Sequence, residues 1–294
     1  MRTAIEGCGT ALVTPFLEDM SVDFATFETL VERQVEKGIH FLVPCGTTGE
    51  SVTLSTEEQL QVVRTTKDVS AGRVPVVAGV GGNNTAEVLR RLRDVEAIGV
   101  DAILSVTPYY NKPSQEGLLA HYKAIAGATA LPIIVYSVAG RTGVNIEPET
   151  ILRLAEVPNI AGVKEASGNI AQIAKICATA PPDFAVYAGD DAVTIPVIAL
   201  GGRGIISVAS NEIPAEMAEL AQLALKGDFG GARALLAKFH PLMEVNFIDS
   251  NPVPVKTAMA WMNLLKPVWR LPLVPTESRK MTRIREVLET AGLL

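Results

Sequence analysis

Ile160-Ala161-Gly162-Val163-Lys164-Glu165-Ala166 is a short apolar run with a lysine set inside it near its end. Seven further runs, rich in β-branched residues and ending in glycine or polar residues, share this design: 9–15, 41–46, 75–81, 102–108, 132–138, 184–189 and 204–209. Most of the eight lack strict apolar and polar alternation, which is how parallel strands covered on both faces read. Amphipathic stretches fill the intervals. They open on helix-start signals such as Ser55-Thr56-Glu57-Glu58 before Leu60, Val62 and Val63, and Ser114-Gln115-Glu116 before Leu118, Leu119 and Tyr122. Eight strands alternating with helices predict an α/β fold, a (β/α)8 TIM barrel, over an open doubly wound sheet, which more often has five or six strands in a shorter span. After Lys226-Gly227-Asp228 the strand signal stops, and helical patterns follow at 229–247, 255–265 and 276–293. The expected organisation is a catalytic barrel over residues 1–226 and a helical extension over 227–294. No low-complexity linker separates them, so the extension packs on the barrel or on a neighbouring subunit.

Composition narrows the function. Of the 294 residues, 48% are hydrophobic and 20% charged, which suits a soluble globular chain. The net charge is −6, with neither sign gathered in a run, so the electrostatic footprint of a nucleic-acid binder is missing. Cys8, Cys45 and Cys177 are odd in number and form no CxxC pair, which suggests neither a disulfide framework nor a zinc site and fits a reducing cytosol. The first residues hold no apolar signal core, and no stretch approaches the ~20 apolar residues of a membrane span. A cytoplasmic protein without a membrane partner is expected.

In a barrel enzyme the chemistry sits at the carboxyl ends of the strands. Lys164 lies in such a place, where desolvation would lower its pKa and free the neutral amine, the nucleophile for a Schiff base with a ketone. A structural ion pair, for instance with Glu165, is the alternative. Cys45-Gly46-Thr47-Thr48-Gly49-Glu50 follows the second strand, and its backbone N–H groups and two hydroxyls would make a small cradle for a carboxylate. A glycine turn with a threonine cap reads equally well. Cys45 has no histidine motif to support a nucleophile and reads as a buried small residue. Tyr109 and Tyr110 follow the fourth strand and Tyr136 ends the fifth. Tyrosine and threonine hydroxyls in a chain can pass a proton without holding net charge, although aromatic packing accounts for any one tyrosine alone. Arg141, just beyond, has the fork to hold a carboxylate at two points, or is a plain surface arginine. Asp190-Asp191 would bind a metal or cap the following helix, and capping fits better. His40, His121 and His240 make no ligand pair, so neither metal nor organic cofactor is expected.

Taken together, GTTGE at 46–50, SVTPYYNKPSQEGL at 105–118, Tyr136 with Arg141-Thr142-Gly143, GVKEASGN at 162–169 and SNPVPVK at 250–256 resemble the dihydrodipicolinate synthase family. This family falls within the pyruvate-dependent class I aldolases that include the N-acetylneuraminate lyases. The resemblance runs from Gly9 into the helical tail. It implies a Schiff-base condensation of pyruvate with L-aspartate 4-semialdehyde, the first committed step toward diaminopimelate and lysine. It implies an imine on Lys164 and a proton relay of Thr47, Tyr136 and Tyr110, with Tyr110 reaching in from a neighbouring subunit of a homodimer or a dimer-of-dimers tetramer. Thr48 would hold the pyruvate carboxylate, Gly189 and Ile206 would line the imine, and Arg141 would grip the semialdehyde. A pyruvate-dependent lyase of a sugar acid or another 2-keto acid is the alternative. Ser51, Asn83, Glu87 and Tyr109 match the family's lysine-inhibitor site, but Thr56 and Gln59 stand where lysine-sensitive bacterial members have histidines, which implies weak inhibition. Tyr136-Ser137-Val138-Ala139-Gly140-Arg141 also departs from the family's Tyr-Asn-Val-Pro-x-Arg, and losing that proline is expected to loosen the segment that aims Arg141.

Overall fold

The eight apolar runs become eight parallel strands in a computed structural model that describes residues 5–294: β1 Gly7–Ala11, β2 Phe41–Val43, β3 Val77–Gly79, β4 Ala102–Val106, β5 Ile133–Ser137, β6 Ile160–Glu165, β7 Ala185–Ala188 and β8 Gly204–Ser207. They pair in the order β2-β1-β8-β7-β6-β5-β4-β3. The two ends meet where Leu42 N–H donates to Pro75 O at 2.9 Å and Gly79 N–H donates to Pro44 O at 2.9 Å, which closes the barrel. The fold expected from the sequence is the fold observed, a (β/α)8 barrel followed by helices. Residues 1–4 of the expected first unit lie outside the described residues.

Parity along each strand sorts side chains into two layers. On β5, Ile133 and Val135 join the large cluster between strands and helices, whereas Ile134 and Tyr136 join the interior cluster with Ala11, Val43, Leu104 and Ile206. A register irregularity at Ile133/Ile134 aligns Gly162 with Ile134 and Lys164 with Tyr136, while Val163 packs outward. Lys164 therefore takes the interior parity beside Tyr136. The first strand differs from its expected range. It ends at Ala11 because Thr14 turns its hydroxyl to Gly49 O (2.7 Å), Val13 N–H donates to Asn211 Oδ1 (3.1 Å), and Pro15 has no N–H for a ladder.

The helix-start signals act as read. Ser55 caps Thr56–Ser70 with a reciprocal pair, Glu58 N–H to Ser55 Oγ and Ser55 N–H to the Glu58 carboxylate, and Ser114 caps Gln115–Ala126. After β8 and the helix Pro214–Leu225 come Phe229–Val245, Val253–Trp261 and Ser278–Ala291. Phe239, Leu242, Ile284 and Leu288 share one apolar cluster with the barrel's outer layer, and Val255 and Met259 pack with Val13, Leu30 and Val208. No helix among the described residues is long and apolar enough to cross a membrane.

A buried ion pair ties this tail to the barrel rim. Lys256, fully buried, donates to Glu50 Oε1 at 2.6 Å and to Thr14 O at 3.0 Å, with its Nζ 4.4 Å from the Phe16 ring centre. Arg270 N–H reaches the other Glu50 oxygen at 3.3 Å, and its guanidinium pairs with Glu58. Burial pulls Lys256 down to about 8, while the Glu50 charge pulls the other way. Breaking such a pair from one side strands a buried charge and typically costs about 3–5 kcal/mol, whereas replacing both partners with apolar or neutral groups costs much less. Lys256→Met should therefore destabilise the chain by about 3–5 kcal/mol in guanidinium unfolding, and Glu50→Gln/Lys256→Met should recover most of that loss. A single variant as stable as the parent would show that the pair holds nothing.

Candidate active site

The pairing of β5 with β6 sets Lys164 beside Tyr136 at the carboxyl end of the barrel, with Nζ 4.4 Å from the phenol ring centre. Only 5% of Lys164 is exposed, and burial pulls its pKa down to about 8. Asp191 opposes that shift and Arg141 adds to it. The ion pair with Glu165 does not form. Glu165 instead accepts from Ser167 N–H (3.2 Å), Ser167 Oγ (2.8 Å) and Gln172 Nε2 (2.9 Å), which leaves Lys164 to the cavity.

That cavity has a volume of about 200 Å3, and its lining includes Lys164, Tyr136, Thr47, Thr48, Arg141 and Gly189. The Tyr136 phenol's pKa is raised by burial and eased down by Arg141 and by the Thr47 hydroxyl, which lines the same cavity. Thr48 is buried, and its hydroxyl accepts from Asn251 Nδ2 at 3.0 Å. Gly189 must be glycine, because a Cβ there would lie 2.5 Å from the Ala166 Cβ and 2.9 Å from Glu165 O. Ile206 is fully buried in the interior cluster with Tyr136 and is not among the cavity's lining residues.

Arg141 rides on a helical turn, Ala139–Thr142, closed by Arg141 N–H and Thr142 N–H to Val138 O and capped by Gly143 at φ 72°. The segment expected to be loose is thus held by backbone bonds without the proline. Arg141 Nη2 donates to Asn251 O at 3.3 Å, so both Asn251 groups brace the site. Tyr110 is elsewhere. It is 89% exposed, at a left-handed φ of 71°, and lines neither this cavity nor its neighbour.

A second cavity of about 460 Å3 adjoins the first and shares Gly46, Thr47, Leu104, Tyr136, Val138 and Arg141 with it. Ser51, Asn83, Glu87 and Tyr109 line it, together with Gln59. Gln59 is engaged at both ends, donating to Ser51 O (2.8 Å) and Leu54 O (3.2 Å) and accepting from Arg91 Nη1 (3.2 Å). Cys45 is buried, with its thiol pushed up to about 12 by desolvation, as expected of a packing residue. Asp190 caps the turn after β7, as read, through Ala192 N–H. Asp191 does not share that role and is buried beneath the site. Sequence reasoning grouped Asp191 with its neighbour and missed Asn251 and Lys256. Those two sit in the 250–256 motif, whose two prolines ahead of a lysine were the available signal.

The dihydrodipicolinate synthetase family model matches residues 4–291. A 4-hydroxy-tetrahydrodipicolinate synthase of Koribacter versatilis is 53% identical over 291 residues, covering 99% of this chain and 97% of the relative. A chloride-inhibited dihydrodipicolinate synthase from Acinetobacter baumannii, solved with pyruvate, superposes with a TM-score of 0.97 at 43% identity, over 99% of this chain and 100% of that one. The Cyanidioschyzon merolae enzyme solved with lysine bound superposes at 0.94 and 40% identity, over 99% of each chain. A barrel with a desolvated lysine against a tyrosine, matched end to end by such relatives, belongs to the dihydrodipicolinate synthetase family.

Proposed function

We propose that the chain condenses pyruvate with L-aspartate 4-semialdehyde to give 4-hydroxy-tetrahydrodipicolinate, through an imine on Lys164. The observation that carries this reading is the desolvated Lys164 ammonium against Tyr136 in a cavity walled by Thr47, Thr48 and Arg141. The Lys164 amine adds to the ketone carbon of pyruvate, the carbonyl oxygen leaves as water, and the nitrogen keeps one proton as the iminium. Electron withdrawal by that cation acidifies the methyl group, and loss of a methyl proton gives the enamine carbon nucleophile. That carbon attacks the aldehyde of the second substrate, whose oxygen takes up a proton, and the substrate's own amino group then displaces the Lys164 nitrogen at the iminium carbon, which closes the ring and frees the amine. Tyr136, paired with Thr47, hands protons to and from the reacting oxygens. A phenol whose charged form is penalised by burial suits this donor role. Thr48 and the backbone of the Gly46-Thr47 turn hold the pyruvate carboxylate, Gly189 bounds the imine, Ile206 supports the site from the interior cluster it shares with Tyr136, and Arg141 grips the carboxylate of the semialdehyde.

The relay is completed by Tyr110 of a second copy. A phenol 89% exposed on a strained backbone, away from its own cavity, fits a group made for a neighbouring site. The minimal unit is then a homodimer, assembled as a dimer of dimers, with the helical residues 227–294 completing the barrel of 1–226. Three free cysteines fit a cytoplasmic location.

Arg141→Ala should raise the KM for the semialdehyde about ten- to a hundred-fold, since a hydrogen-bonded charge contact is worth about 1.5–3 kcal/mol. Pyruvate's KM should change little. An unchanged semialdehyde KM, or better turnover with another aldehyde in a substrate panel, would overturn this assignment. Because Lys164 is drawn down to about 8, the neutral amine grows about ten-fold from pH 7 to its plateau. The rate of imine formation in rapid mixing with pyruvate should follow that rise, and a flat profile would contradict it. Lysine should inhibit weakly, because Gln59 is already spent on Ser51, Leu54 and Arg91. Strong inhibition at micromolar lysine in the steady-state assay would refute that.

A further inference from the structure

Asp191 lies behind the wall of the Lys164 cavity. It directly follows the lining residue Asp190, and its Oδ2 accepts from Val208 N–H, a second lining residue, and from Ala209 N–H, both at 3.1 Å. The Ser207 hydroxyl, which accepts from Ser210 N–H at 2.9 Å, favours the charged form of the carboxylate. Asp191 is 1% exposed, and its Oδ1 is buried with no hydrogen-bond partner. Two amides are donors suited to an anion, while an orphaned buried carboxylate oxygen calls for a cation. The Asp191 charge acts on Lys164 against the pull of burial.

We propose that Asp191 is the buried counter-charge of Lys164, a positioning residue that steadies the cationic imine nitrogen without touching substrate. This rests on the imine reading of Lys164. An amine can shed its charge when buried, but an iminium cannot lose its positive charge while it activates the methyl group. The remaining groups around Asp191 do not replace it. Cys8 from β1 and Glu212 beyond β8 are both pushed well up by burial, and the Asp191 charge pushes each further, which disfavours the anionic form of either. Arg141 brings a like charge to Lys164, and Asp190 a like charge to Asp191. Tyr136 is held in its neutral form, and Glu165 is turned to Ser167 and Gln172. Burial, the largest influence, pushes the Asp191 carboxyl up from its usual range, and the Ser207 hydroxyl and the Ala209 and Val208 amides pull it back toward the charged form.

Asp191→Asn keeps the shape and removes the charge, so two readouts should move in opposite senses. The acid limb of imine formation, followed by borohydride trapping with pyruvate across pH, should shift down by about one pH unit as the amine loses its nearby anion. Turnover at saturating substrates should fall about ten-fold, as the iminium loses the same support. A purely structural role would lower turnover without moving the limb. Ser207→Ala, which removes a hydroxyl that favours the charged carboxylate, should shift the limb in the same direction by less, and it decides the matter if Asp191→Asn does not fold. Superimposable pH profiles for parent and variant overturn the inference. An absence of any trapped adduct in the parent would instead overturn the imine reading itself.

Discussion

The site depends on one constraint: a lysine ammonium is expensive to keep away from water, and this barrel buries one without closing it into an ion pair. The contrast lies within the same chain. Lys164 and Lys256 are both buried and both drawn down to about 8. Lys256 is committed, its Nζ bonded to Glu50 and Thr14 O. Lys164 lies over a phenol ring and opens onto a cavity. Equal desolvation thus serves two ends, one structural and one chemical, and the partner set distinguishes them.

The committed lysine serves the free one. Glu50 ends the loop that carries Thr47 and Thr48, so the Glu50–Lys256 pair anchors that loop to the C-terminal helices. Asn251, five residues before Lys256, donates to Thr48 and accepts from Arg141. The tail therefore supplies braces on both sides of the cavity, one on the hydroxyl loop and one on the guanidinium. Polar groups placed to meet an anionic substrate are set by this scaffold before any substrate arrives, which is where preorganisation lowers the cost of binding. A net charge of −6 does not oppose this, because the local cations face the cavity.

Much of this was legible in the residue order. Eight runs, most of them without strict alternation, point to a parallel barrel, since strands covered on both faces have no polar side to display. The capping box at Ser55 and Glu58 marked a helix start because both its bonds are local. Lys164 stood out as the lone cation in a strand run. What stayed hidden depended on contacts far apart in sequence. Asp191 resembled its neighbour Asp190, yet one caps a turn and the other is buried by strands β7 and β8, a difference set by the fold. Glu50 and Lys256 are 206 residues apart, and no periodicity links them. The first strand ends early because a distant asparagine takes the Val13 N–H and Pro15 has no N–H to pair.

The central claim is that Lys164, alone of the two buried lysines, is the nucleophile. Borohydride reduction of the protein in the presence of pyruvate, followed by peptide mass mapping, tests it most directly. The account predicts loss of activity and a single reduced-pyruvate adduct on Lys164. An adduct on Lys256 or another lysine, or full activity after reduction, would contradict it.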